Sequence, residues 1–153
     1  MEMPKPTDAH RKLTRLAGTW QGTETMHPSQ WDPKGGEAIG RSTGRVILDG
    51  FAIVIDYEQE RGGAITFSGH GVVTYDAADN CYVMHWFDSM GSPPEVFRGT
   101  FHENVLTLAH GGPFMHVRLT YDLSGEKRMK NRMEMSMNGE DWKALFDGDY
   151  QKK

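Results

Sequence analysis

The sequence predicts an all-β fold: a closed antiparallel up-and-down barrel of about ten strands, entered through a short N-terminal helix. Three observations predict it. Strand-like segments rich in β-branched and aromatic residues recur at even spacing along the chain. Short Gly-, Asn-, Asp- and Pro-containing turns join each segment to the next, and short connections force neighbours to pair antiparallel. Glycines at 40, 44, 69, 71 and 99 fall inside the segments, where they permit the bending that a small barrel needs. An unbroken ten-strand meander would expose two edges, and closure removes them.

Residues 1–6 read as a loose tail. Thr7 or Asp8 can cap a short helix through Leu13 and Leu16, whose spacing of three puts both on one face, and Gly18 ends it. The strands then run Thr19 to Met26, Glu37 to Leu48, Phe51 to Glu60, Ala64 to Tyr75, Cys81 to Phe87, Glu95 to His102, Val105 to His110, Phe114 to Leu123, Arg128 to Met137 and Asp141 to Tyr150. Gly40 and Gly44 are expected to mark bulges or bends. Asp49-Gly50 and Asn138-Gly139 are expected to form two-residue hairpin turns. No internal repeat, linker or low-complexity stretch divides the 153 residues, so residues 1–153 are read as one domain, large enough to bury a core without staples.

Composition excludes several classes. The single cysteine, Cys81, rules out an intramolecular disulfide framework and fits a reducing compartment. No apolar h-region opens the chain and no apolar run reaches membrane-spanning length, so a cytoplasmic protein without a membrane partner is expected. A net charge of −4 with both signs interspersed argues against a nucleic-acid surface. The nearest thing to a basic patch, Lys127-Arg128, Lys130 and Arg132, alternates with Met129, Met133 and Met135 and reads as the solvated face of a strand.

Leu16-Ala17-Gly18-Thr19-Trp20 resembles the Gly-x-Trp opening of the calycin superfamily, which includes the lipocalins and fatty-acid-binding proteins. The resemblance implies that Trp20 lies across the closed end of the barrel, below a ligand cavity. Further pieces resemble an uncharacterised bacterial family of lipocalin-like domains: Gly18-Thr19-Trp20-x-Gly22, Asp56-Tyr57-Glu58, Ser68-Gly69-His70-Gly71 with Tyr75-Asp76, and His85-Trp86-Phe87-Asp88-Ser89-x-Gly91. The likeness covers about residues 13 to 150. The opening is also similar to that of the nitrobindins, small haem-binding barrels whose iron ligand is a histidine near the C-terminal end. Here the last histidine is His116, and the two final strands have none.

Candidate chemistry follows from alternation. Trp20, Gly22, Glu24 and Met26 share one face of the first strand, so an inward Trp20 brings Glu24 inside. A carboxylate there needs hydrogen-bond partners or takes up a proton. It can orient a ligand or act as an acid/base group; otherwise it sits at the wet mouth or pairs with an arginine such as Arg132. His70 and His85 are the imidazoles weighed for acid/base work. His110 and His116 flank a Gly-Gly-Pro turn that can draw them together, yet no tight metal-binding motif is present. Cys81 reads as structural. Met129, Met133, Met135 and Met137 share a strand face suited to an adaptable apolar pocket. Trp86, Phe97, Phe101, Phe114, Tyr57 and Tyr121 can line the same interior.

The function these features imply is noncovalent binding of a small, mostly apolar ligand inside the barrel. The contact residues expected are Trp20, Glu24, Tyr57, His70, His85, Trp86, Arg132 and Met133. The alternatives are a small isomerase or hydrolase using His70, His85 or Glu24, and haem or zinc binding. No cofactor and no metal ligand is assigned. A homodimer formed through Trp31 and Met90 with Pro93-Pro94 is the remaining expectation about partners.

Overall fold

The structure, a computed structural model, describes residues 1–153. A single turn of helix, α1 (Asp8–Arg11), runs into a 3-10 segment at Lys12–Leu16. Thr7 is its N-cap, and the His10 ring nitrogen accepts the Thr7 N–H at 3.0 Å. Ten strands follow: β1 (Gly18–Met26), β2 (Gly36–Ile47), β3 (Ala52–Arg61), β4 (Ala64–Asp76), β5 (Cys81–Asp88), β6 (Glu95–His102), β7 (Val105–Gly111), β8 (His116–Asp122), β9 (Arg128–Ser136) and β10 (Lys143–Lys152). Each pairs antiparallel with its sequence neighbours, and β1 pairs with β10 from Trp20↔Lys152 to Met26↔Phe146, so the barrel is closed. No helix is long and apolar enough to cross a membrane.

Alternation assigns the two faces. On β1, Trp20 and Glu24 are buried while Thr19, Thr23 and Thr25 are exposed. Trp20 is 2% exposed and packs with Leu13 and Leu16 of the N-terminal segment. Its indole Nε1 donates to the Leu16 carbonyl at 3.3 Å. The helix thus covers one end of the barrel, and Trp20 is the plug beneath it. Above the plug, Ile53, Val73, Met84, Leu106, Leu108 and Met129 fill the interior as part of one continuous core.

The other end is the mouth. The connections 27–35, 62–63, 89–94, 112–115 and 137–142 surround it. Trp31, Met90, Phe114 and Met137 stand exposed on four of them.

The structure corrects several local expectations. Gly40 and Gly44 are not bulges, since the β1–β2 and β2–β3 registers run through both without a shift. They are glycine because neighbours come too close: a Cβ on Gly44 would collide with the Leu16 carbonyl oxygen, and one on Gly40 with the Glu24 carboxylate. The one bulge of β10 lies between Ala144 and Phe146. Asp49-Gly50 is not a two-residue hairpin. Ile47 pairs with Ala52, and the chain turns through a 3-10 segment with Leu48 and Asp49 at φ 54° and 56°. The Asn138-Gly139 turn widens to 137–142, because the Asn138 side-chain oxygen accepts the N–H groups of Glu140 (2.8 Å) and Asp141 (2.9 Å). Phe114 falls in a connection and is 83% exposed, so it does not line the interior.

Removing the plug is expected to cost far more than disturbing a strand. Trp20→Ala should lower unfolding free energy by about 3–5 kcal/mol in urea titration. Gly44→Ala should lower it by about 1–3 kcal/mol through the Leu16 collision. Thr43→Ala, on the exposed side, should stay within about 0.5 kcal/mol of wild type. Equal effects at positions 43 and 44 would contradict the packing described.

Candidate functional site

Glu24 is the centre of the interior. It is 0% exposed, and three side chains from two distant strands donate to it. The Tyr57 hydroxyl lies 2.7 Å from both carboxylate oxygens, Gln59 Nε2 donates to Oε1 at 2.9 Å, and the Tyr150 hydroxyl donates to Oε2. A carboxylate has about four lone-pair positions, and the three donor hydrogens serve both oxygens without a cation. Tyr57 and Gln59 reach Glu24 because they are the inward pair at the upper end of β3, two residues apart. Tyr150 reaches it because Gly148 and Gly40 carry no side chain: a Cβ on Gly148 would strike the Tyr150 phenol.

One row across the sheet joins this cluster to β8. Glu24 pairs with Gly148, Gly148 with Asn131 and Asn131 with Tyr121. The Asn131 side-chain oxygen is buried and has no hydrogen-bond partner. Phenol ionisation is suppressed throughout the cluster. Burial raises the Tyr57 and Tyr150 hydroxyls far above the ordinary value, and the adjacent Glu24 charge and hydrogen bond push further the same way. Burial pushes Tyr121 up to about 12, with the neighbouring Asn131 amide tempering the rise.

Above Glu24 the interior is not packed shut. Tyr57, Phe67, Trp86, Leu119 and Met133 face inward yet keep partial exposure, so solvent enters from the mouth. The Trp86 ring lies against Gly69 and Gly71 of β4, where a side chain would overlap it, and its Nε1 donates to Asp88 at 2.9 Å. Solvent therefore reaches the upper interior while the lower half is solid, and the two main pockets of the molecule lie outside the barrel. A rim pocket of about 330 Å³ lies beside it, between Pro28–Trp31 and the β9–β10 connection, with Trp31, Met135, Leu145 and Lys143 in its wall. A wider groove of about 530 Å³ runs along the outer wall over β1, β8, β9 and β10 and has no apolar residue in its lining.

Of the expected contact residues, Glu24, Tyr57, Trp86 and Met133 come together in the interior. Trp20 is inside too, but it is sealed in the plugged end and faces no open space. The interior positions expected of His70, His85 and Arg132 are corrected. Gly69 and Gly71 take the inward positions of β4 to admit Trp86, so His70 points out and pairs with Asp56 at 2.6 Å. Trp86 points in, so His85 is exposed. Met133 points in, so Arg132 lies in the outer groove and pairs with Asp147 at 2.7 Å. Burial works against the Asp147 charge, but hydrogen bonds from Arg132 and His27 hold its carboxyl below the usual range.

Glu24 is thus inside and both histidines are outside: His70 and His85 are diagonal neighbours on the exposed outer face of β4 and β5, and neither joins Glu24. His110 and His116 also fall on opposite faces, since His110 pairs with Val117 and His116 with Gly111. No three His, Cys, Asp or Glu side chains lie close enough to hold a metal ion. A haem iron ligand in the interior would fall to His110, whose Nδ1 already bonds the Val96 carbonyl at 2.9 Å and whose Nε2 is 3.5 Å from Glu95. Gln59, Asn131 and Tyr150 were not foreseen as site residues. Alternation alone marks Gln59 as the inward neighbour of Tyr57, whereas Tyr150 and Asn131 need the β1–β10 register.

Residues 5–152 match the family described as "Protein of unknown function (DUF1579)". The chain belongs to this family. No curated protein matches it. Among solved structures, the chain is similar to the crystal structure of Rv2717c from M. tuberculosis, at 13% identity and a TM-score of 0.69 over 96% of this chain and 98% of that one. It is also similar to the S-type phycobiliprotein lyase CPES from Guillardia theta, at 9% identity and a TM-score of 0.64 over 97% and 98%. At these identities the likeness establishes the fold alone, a closed antiparallel barrel shared over nearly the whole chain.

The tyrosine environment of this DUF1579 barrel sets its alkaline behaviour. Below about pH 9 the phenols are protonated in both folded and unfolded chains, so they leave stability unchanged. Above it the unfolded chain releases protons that the folded Tyr57, Tyr121 and Tyr150 retain, so stability falls as pH rises. Tyrosinate absorbance should therefore appear in two stages, a small early one and a larger one coincident with unfolding. Ionisation of all five tyrosines together in the folded protein would contradict the buried cluster.

Proposed function

We propose that this member of the DUF1579 family binds a small, mostly apolar molecule in the upper half of its barrel. The observation that carries the reading is the form of the interior. A solid floor ends at the Glu24 cluster, and partly exposed Tyr57, Phe67, Trp86, Leu119 and Met133 rise above it toward the mouth. Apolar walls with a few convergent polar groups at one end are the usual composition of a small-molecule site. Met133 adapts to the outline of a guest, and Trp86 offers a flat face held in place by its bond to Asp88. Exposed Trp31, Met90, Phe114 and Met137 give the rim an apolar character that suits entry of such a guest.

The test uses the neutral dye Nile red and the intact protein. Uptake with one-to-one stoichiometry and quenching of tryptophan emission are expected. Leu119→Trp, which fills the upper half, should abolish uptake while far-ultraviolet circular dichroism stays as in wild type. Absence of dye uptake by the wild-type protein, together with no small molecule retained in native mass spectrometry, would sink the reading.

A further inference from the structure

The interior carries a charge imbalance that bears on which molecules it admits. Glu24 is buried against three neutral donors, with no cation among them. Two more carboxylates share the inward face: Asp88, opposite Gly69, and Glu95, opposite Trp86. The basic groups on that face are few and engaged. His110 stands 3.5 Å from Glu95, and Arg61, at the rim end of β3, bonds Asp32 at 2.8 Å and the Gly35 carbonyl at 3.0 Å. Lys143 belongs to the rim pocket outside and is exposed. Alternation puts Lys130 and Arg132 on the outer wall.

An anionic head group entering this half would lose its hydration and meet a buried negative charge with no free cation to receive it. That is costly in a low-dielectric interior. A hydrogen-bond donor meets the opposite situation. The Asn131 side-chain oxygen is a buried acceptor without a partner, on the same row as Glu24 two strands away, on the order of 10 Å along the sheet. A donor from the guest satisfies it, and the Glu24 field favours a donor that is neutral or positive.

We propose that the polar end of the guest is an uncharged or cationic hydrogen-bond donor, an alcohol, amide or amine, and that carboxylates are rejected. This rests on the interior-binding reading above and specifies its ligand class. Asn131 is the group that receives the donor, and Glu24 is the group that excludes the anion.

Displacement of Nile red from the intact protein by decanol, decylamine and decanoate, which share one chain length, separates the two claims. Decanol and decylamine should displace the dye at concentrations about tenfold or more below decanoate, the effect of one lost hydrogen bond plus repulsion. Asn131→Leu should narrow that gap by weakening the two donors relative to decanoate, each displacement being read against the variant's own Nile red affinity. Glu24→Gln should narrow it by improving decanoate, and Asn131→Leu decides the matter where the Glu24 variant fails to fold. Decanoate binding as tightly as decanol would overturn this inference and leave interior binding standing, as would dye that none of the three displaces. Failure of the wild-type protein to take up Nile red at all would overturn both.

Discussion

The seam between β1 and β10 is the constraint on which the rest depends. It joins the first strand of the chain to the last over seven paired positions, Trp20↔Lys152 to Met26↔Phe146. Without it, β1 and β10 would each present an unpaired edge. With it, Tyr150 comes against Glu24 across 126 residues of sequence. A carboxylate carried inside on β1 would be short of a donor until the last strand docks. The closing strand therefore supplies part of what makes the opening strand tolerable, and barrel closure and satisfaction of the buried charge are one event.

Backbone proximity explains the strand glycines better than flexibility does. Gly40 clears space for the Glu24 carboxylate, Gly148 for the Tyr150 phenol, and Gly69 with Gly71 for the Trp86 ring. In each case a bulky or polar side chain occupies the volume that the glycine gives up. The same substitution pattern decides the orientation of its neighbours. Because Gly69 and Gly71 must face in to receive Trp86, the residue between them, His70, must face out. The interior chemistry and the outward display of histidines are thus two results of one packing requirement.

The strand order, the closure and the inward face of β1 were legible in the sequence, because period-two alternation and short connections survive in local patterns. So was the Trp20 plug. What was not legible depends on pairings between distant strands. Arg132 was weighed as a partner for Glu24 because both are ionisable, yet alternation on β9 puts Met133 inward, and Arg132 finds Asp147 on β10 instead. On β4 and β5 the apolar residues fill both faces, so nothing local says whether His85 or Trp86 points in. Only the fit of the indole onto two glycines of the next strand settles it. The two Asx-Gly turns misled for a different reason. Both sequences permit a tight hairpin, but at Asn138 side-chain bonds to two later N–H groups favour a wider connection.

The division of the interior into a solid and an accessible half bears on why a buried carboxylate is present at all. The lower half shows that this barrel can be filled with apolar side chains, and a packed apolar core is as stable as a buried charged network or more so. Stability alone thus gives no reason for Glu24, two phenols and an amide to sit where Leu or Phe would pack. Their position does give one. They lie at the boundary between the filled half and the half open to the mouth, with Tyr57 touching both. A polar floor there sets the electrostatic field of the upper interior without exposing Glu24 itself to water. On the binding reading proposed above, that field would reach a guest through Tyr57, whose one hydroxyl proton is shared between the two Glu24 oxygens at 2.7 Å. Selectivity of the proposed kind would come from a group that never touches the ligand, and it would persist only while the β1–β10 seam keeps the carboxylate dry.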